Sequence, residues 1–239
     1  MYLNNHTYYS LRFGTFSEIE LLELARENDV KKLVLTDINN TSGCLNFVRK
    51  AAEYNIEPVL GIDFRNGAQQ QFVGIAKNNE GFKELNEFLS QHLQKKLPLP
   101  ERAPQFKNAF VIYPFEKVMV SEITQFQPHE FIGVSVNELR KIRFSKLRKL
   151  TTKLVVLQSV TFRNKRDFNA HRLLRAIDNN TLLSKLPLEE QAATDEQMLP
   201  LESLQNKFED FNFILKNTQN LLDQCSIHFD FSAERKPQN

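Results

Sequence analysis

Short apolar runs alternate with helical stripes through residues 17–158 of this 239-residue chain, and that alternation leaves few folds open. KKLVLTD (31–37) has the length and apolarity of a buried strand. It follows SEIELLELAREN (17–28), which opens with Ser17 and Glu20 at the spacing of a capping box and continues with Leu21, Leu24 and Ala25 on one helical face. SGCLNFVRKAAEYN (42–55), with Leu45, Val48 and Ala52 at helical spacing, leads into a second strand, PVLGIDF (58–64). QQFVGIA (70–76) reads as a strand and NEGFKELNEFLSQH (79–92) as a helix. Beyond the proline-rich LPLPERAP (97–104) come three further strands: AFVIYP (109–114), EFIGVSV (130–136) and KLVVLQ (153–158). From Lys165 the signals are helical. Strands that alternate with helices pair in parallel through right-handed crossovers, and a chain of this length suits one α/β barrel domain.

Composition narrows the setting. No apolar run reaches 18 residues, and MYLNNHTYYS has neither a basic start nor an apolar core, so neither a membrane span nor a signal peptide is expected and the default compartment is the cytoplasm. Cys44 and Cys225 have no cysteine or histidine at ligand spacing and read as packed, reduced thiols. Twenty phenylalanines and no tryptophan, spread along the chain, point to an aromatic core rather than a base-stacking groove.

The N-terminal stretch YLNNHTYYSLRFG (2–14) has the frame of a metal-binding loop with few of its ligands: a lone His6 behind Asn4 and Asn5, then Tyr9, Ser10 and Gly14 at a turn. HTYYSLRFG, LVLTDINNTSG, PVLGID and IAKNNEGFKELNEFLS follow one another in an order and spacing that resemble the N-terminal PHP (polymerase and histidinol phosphatase) domain of bacterial DNA polymerase III alpha subunits. VVLQSVTFRNKRDFNAHRLLRAIDNNTLL and NTQNLLDQCSIHFDF resemble its later segments, so the likeness runs from Met1 to about Phe231. The resemblance implies an irregular PHP-type (β/α)7-like barrel over 1–231. It also implies that the polar tail 232–239 begins a linker to a polymerase core in a longer parent chain.

Metal-bearing PHP domains hold up to three divalent ions for phosphoester hydrolysis on histidines and carboxylates at strand ends; this resemblance lets each ligand be carried to a position here. The first His-x-His falls on Asn4 and His6, the acid before the loop glycine on Phe13, and the histidine after LTD on Ile38. The glutamate after the second strand's glycine falls on Asp63, and the late Asp-x-His on Ser159 and Thr161. Phe and Ile bind no metal, and Asn, Ser and Thr are weak neutral ligands. Only His6 and Asp63 keep strong donors, so no metal and no other cofactor is expected. His6 reads as a hydrogen-bonded loop histidine, a single-ion ligand or an acid/base, and Asp37 as a loop or helix cap or an ion ligand. His171 reads as a helix-face residue.

Residues 139–175 carry twelve cations, Arg140, Lys141, Arg143, Lys146, Arg148, Lys149, Lys153, Arg163, Lys165, Arg166, Arg172 and Arg175, against the single acid Asp167. Such a block is a face solvated or turned to another domain, a phosphate-contacting surface, or a docking site for a partner protein; its first six cations are the candidate contacts. Two functions remain: a non-catalytic scaffold domain of a replicative polymerase, with the rest of the subunit, DNA and a proofreading exonuclease as partners, or a metal-dependent phosphoesterase with a reduced site. The ligand count favours the first.

Overall fold

Asn4–Asn5 (β1), Lys32–Leu35 (β2), Glu57–Asn66 (β3), Gln69–Ala76 (β4), Ala109–Pro114 (β5), Glu130–Val134 (β6), Leu154–Val156 (β7) and Ser159–Val160 (β8) are the strands among the described residues. The helices are Glu18–Glu27 (α1), Cys44–Ala51 (α2), Asn79–Lys95 (α3), Phe115–Val120 (α4), Leu139–Phe144 (α5), Lys165–Asp178 (α6), Leu201–Lys207 (α7) and Asn212–Asp223 (α8), joined in places by short 3-10 turns. The computed structural model describes residues 1–121, 123 and 125–231. The expected linker start at 232–239 lies outside the described residues.

Local chemistry sets the boundaries. Ser17 and Glu20 form the capping box, each side chain bonding the other's backbone N–H, and α1 begins there. Asn78 caps α3 through the N–H of Gly81, and Asn164 caps α6 through Arg166 and Asp167. The inward face of α2 is Cys44, Phe47, Val48 and Ala51. Leu45, expected on that face, is instead more than half exposed, because it lies beside the stripe that Cys44, Phe47, Val48 and Ala51 form at helical spacing.

Six strands form one curled sheet in the order β2-β3-β4-β5-β6-β7. Pairs β2–β3, β5–β6 and β6–β7 are parallel, as the alternation implies. Strand β4 runs the other way against both neighbours. The reason is local: no helix separates β3 from β4, and Gly67, with φ +62°, turns the chain in a tight hairpin. Strands β1 and β8 pair in parallel and carry the ring beyond the sheet. On its other side β1 meets the end of β2, where Thr36 N–H donates to the Asn5 carbonyl. The remaining edge of β7 is covered by α8: Val156 N–H donates to Thr218 Oγ1, and Asn217 Nδ2 donates to the Leu154 carbonyl.

Strand residues split between two apolar layers. Val34, Val59, Val73, Ile112 and Val155 pack with Leu221, Leu222 and Cys225 at the end of α8. The alternate residues, Leu33, Leu60, Ile62, Val111 and Val156 among them, pack under α1, α2 and α3. The barrel is thus filled and ringed, and the C-terminal ends of β1, β2, β3 and β8 meet at one mouth. Cys44 and Cys225 are both free and buried, and burial pushes their thiols upward in pKa, Cys225 to about 12. Among the described residues no helix is long and apolar enough to cross a membrane.

Candidate functional site

Each of the seven positions assigned from sequence lies at that mouth. Asn4 and Ser159 face each other across β1 and β8, and Asn4 Nδ2 donates to Ser159 Oγ at 2.8 Å. Thr36 Oγ1 donates to Asn4 Oδ1 at 3.1 Å, which uses the other half of that amide. Phe13 packs with Phe162 and Ala192, and Ile38 lies against them, so two of the positions have become one small apolar cluster.

His6 follows β1 directly and is fully buried. Its Nε2 lies 2.9 Å from Asp63 Oδ2 and its Nδ1 lies 2.9 Å from Thr161 Oγ1. The Thr161 hydroxyl also bonds the Glu196 carboxylate. The Asp63 oxygen that meets His6 takes a further hydrogen bond from Arg65 Nε at 2.9 Å and an ion-pair contact from Nη2 of the same guanidinium at 2.7 Å. Burial raises the Asp63 pKa, but Arg65 and His6 outweigh it and hold the group down at about 2. The Arg65 guanidinium carbon stands 4.8 Å from the centre of the Phe13 ring, and that of Arg175 stands 5.6 Å from it.

The loop itself is shaped by Asp37. Its carboxylate, fully buried, accepts from Thr7 N–H at 2.6 Å, Thr7 Oγ1 at 2.8 Å and Ser10 Oγ at 2.7 Å. Ser10 Oγ in turn accepts from Ile38 N–H at 2.9 Å. Burial pushes the Asp37 pKa upward against these bonds. Of the two readings of Asp37, this geometry matches the loop cap. Gly14 closes the turn where a Cβ would lie 1.8 Å from the Thr7 carbonyl oxygen, so no other residue fits.

His171 lies on α6, as expected of a helix-face residue. It faces inward from α6, fully buried, because Phe13 and the segment at Ala192 each offer it a backbone partner. Nδ1–H donates to the Phe13 carbonyl at 2.7 Å, and Ala192 N–H donates to Nε2 at 2.8 Å, which fixes a neutral ring. Burial, helped by Arg175, His6 and Arg65, lowers its pKa to about 4. The unfolded chain therefore binds a proton between about pH 6.5 and 4 that the folded chain refuses. Stability from this group is complete above about pH 6.5 and is lost as pH falls toward 4, by about 3 kcal/mol in all. Urea denaturation across that range should show the slope in the wild type and a flatter one in His171→Ala; equal slopes would remove His171 as the source.

Among the described residues, no three His, Cys, Asp or Glu side chains gather so as to hold an ion. His6 and Asp63 spend their facing atoms on each other, and Asp63 Oδ2 is also committed to Arg65. Only Asp63 Oδ1, buried and without a hydrogen-bond partner, is a free strong donor atom of that pair. One oxygen beside a guanidinium does not fit a divalent ion. Sequence reasoning missed Arg65 and Glu196, and placed His171 and Arg175 on a helix face and in the basic block rather than at the mouth; for Arg65 a signal existed, since residues two apart on a strand share a face.

The twelve cations do not form one surface. Arg163 pairs with Asp167 and Glu20, Arg175 with Asp178 and Glu190, and Lys153 bonds the Gln127 and Glu130 carbonyls. Of the six candidate contacts, Lys141 pairs with Glu116 and Arg143 with Asp210. Arg140, Lys146, Arg148 and Lys149 are exposed.

The chain belongs to the PHP family: residues 3–129 match the PHP domain. Over most of its length the chain is also similar to proteins named DNA polymerase III subunit alpha. It is 26% identical to that of Ureaplasma parvum serovar 3 over 182 residues, covering 76% of this chain and 18% of the relative. Against that of Staphylococcus aureus (strain COL) it is 27% identical over 258 aligned residues, 98% of this chain and 23% of the relative. For Buchnera aphidicola the figures are 20% over 264, with 95% and 23% covered. The chain thus spans about a fifth of the length of the curated relatives it matches.

Proposed function

We propose that this chain is a non-catalytic PHP domain of a bacterial replicative DNA polymerase of the polymerase III alpha type, acting in the cytoplasm as a scaffold for the polymerase core. The observation that carries the reading is Arg65: a guanidinium bonded to Asp63 brings a fixed positive charge to the centre of the seven ligand positions. The Phe13–Ile38 apolar cluster and the Asn4–Ser159 bond support it, since both satisfy the mouth by packing rather than by chemistry. The same reading assigns residues 1–231 to the domain and the tail 232–239 to a linker, with the rest of the subunit as the first partner and a proofreading exonuclease as another.

Surface chemistry is in keeping with a large partner. Leu173, Ile177 and Leu182 on and after α6 are each more than half exposed and border an open cleft of ≈ 540 Å³. Leu188, 84% exposed, adds to the apolar surface of that segment.

The second reading, a phosphoesterase with a reduced site, is favoured by the His6–Asp63 pair and by the free Asp63 Oδ1. Elemental analysis after purification without chelator separates the two, paired with phosphatase and exonuclease assays in manganese and zinc. The scaffold reading expects substoichiometric metal and background hydrolysis. Stoichiometric metal, with activity lost in His6→Ala and Asp63→Ala, would install the phosphoesterase instead.

A further inference from the structure

Helix α5 ends in Phe144, whose side chain is 90% exposed. The next two apolar residues, Leu147 and Leu150, are partly buried and packed against the core, so Phe144 projects alone. Around it in sequence stand the exposed Arg140, Lys146, Arg148 and Lys149, none with an ion-pair partner among the described residues. A cleft of ≈ 280 Å³ opens beside Phe144, with Arg140 and the exposed Lys207 among its lining residues and Phe211 below. Arg143 also lines it but is already neutralised, paired with Asp210 and resting on the Phe211 ring at 5.8 Å.

We propose that this surface is a platform for single-stranded DNA, with Phe144 stacking on a base and Arg140, Lys146, Arg148, Lys149 and Lys207 contacting phosphates. An exposed ring among unpaired cations matches both halves of that ligand: phosphates answer the charges, and an unpaired base offers a flat face that covers the ring. A membrane would need an apolar stripe to insert, and here one ring stands alone. The choice of DNA rests on the replicative reading above. The preference for a single strand rests on the surface, because paired bases are already stacked.

The whole 239-residue chain has no tryptophan, so the F144W variant carries a single indole reporter at the proposed stacking position. Oligo-dT should quench that indole. In the wild type its affinity, read by anisotropy of a labelled strand, should fall with salt at a log–log slope of about −3.5, from roughly five phosphates at 0.7 each. F144A should weaken binding about 10-fold, within the range for losing one stacked base. The fourfold variant R140E/K146E/R148E/K149E should weaken it by more, and since these side chains are exposed its circular dichroism should match the wild type. Duplex DNA should bind less tightly and ignore F144A. No binding at low salt, an unquenched indole, or wild-type affinity in F144A would overturn the platform. So would duplex affinity equal to that for oligo-dT, or a response to anionic phosphatidylserine vesicles in place of oligo-dT. Preference for oligo-rU would overturn the assignment to DNA, and none of these outcomes bears on the metal assay that decides the functional reading.

Discussion

Arg65→Ala should lower the stability of this domain by about 3–5 kcal/mol at neutral pH, the cost of stripping one partner from a buried ion pair. The Asp63 side chain is fully buried and that of Arg65 is 9% exposed, so water replaces little of what the guanidinium gives. The Phe13 ring also loses its contact with the guanidinium, and the space left borders the Phe13 apolar cluster. The effect should depend on pH in a definite direction. In the wild type Asp63 has a folded pKa of about 2 against an ordinary 3.8, so its contribution is present above about pH 4 and is lost as pH falls through 2. In Arg65→Ala, Asp63 loses the largest counterweight to its burial and protonates at a higher pH in the folded state than before. The gap between the two proteins should therefore be widest near pH 7 and narrow in acid, with part of the narrowing coming from His171, whose pKa Arg65 also helps to lower. Urea denaturation at several pH values reads both numbers. Removing both charges in Asp63→Asn/Arg65→Met should recover most of the loss, because the unpaired buried charge is gone. A cost below about 1 kcal/mol for Arg65→Ala at pH 7 would mean that the pair does not hold the mouth together.

Much of the barrel was legible because strand and helix periodicities are local. KKLVLTD, PVLGIDF and AFVIYP contain β2, most of β3 and β5, and the Ser17–Glu20 box opens α1 where expected. The reversal of β4 was signalled only by Asn66-Gly67, which the strand-by-strand reading passed over. At the mouth, the resemblance named seven positions, but not the contacts that their side chains make. The His6–Thr161 bond spans 155 residues and the Phe13–His171 bond spans 158, and nothing in the intervening sequence announces either. The same distance hid the division of the basic block. Arg143 and Arg163 look as free as Arg148 in sequence until Asp210 and Glu20, far along the chain, come to rest beside them. Composition had argued against a stacking surface, since the phenylalanines are spread out, yet one of them, Phe144, stands alone in the cluster of cations.

Returning the family's ligands while Arg65 stays should not produce a metal centre. Asn4→His alone loses the bonds from Asn4 to Ser159 and Thr36 and adds one imidazole to a pair already committed to each other. Adding Phe13→Glu, Ile38→His, Ser159→Asp and Thr161→His supplies the missing donors, but the guanidinium on Asp63 remains. A divalent ion about 4 Å from that charge, at an effective dielectric constant near 20, meets a repulsion of order 8 kcal/mol. That is five to six powers of ten in affinity, enough to turn a nanomolar site into one that fills only at millimolar metal. The fivefold variant with Arg65→Gln should then bind manganese or zinc at least a thousandfold more tightly than the fivefold variant with Arg65, a comparison in which the ligands are constant and one charge changes. Calorimetric titration, with circular dichroism to confirm that both variants are folded, measures it. Hydrolysis should follow only in the variant lacking Arg65, since displacement at phosphorus needs ions held a few ångströms apart in fixed positions. Equal metal affinity in the two variants would show that Arg65 is a bystander to ion binding, and the case for a domain whose buried arginine has replaced its metals would fall with it.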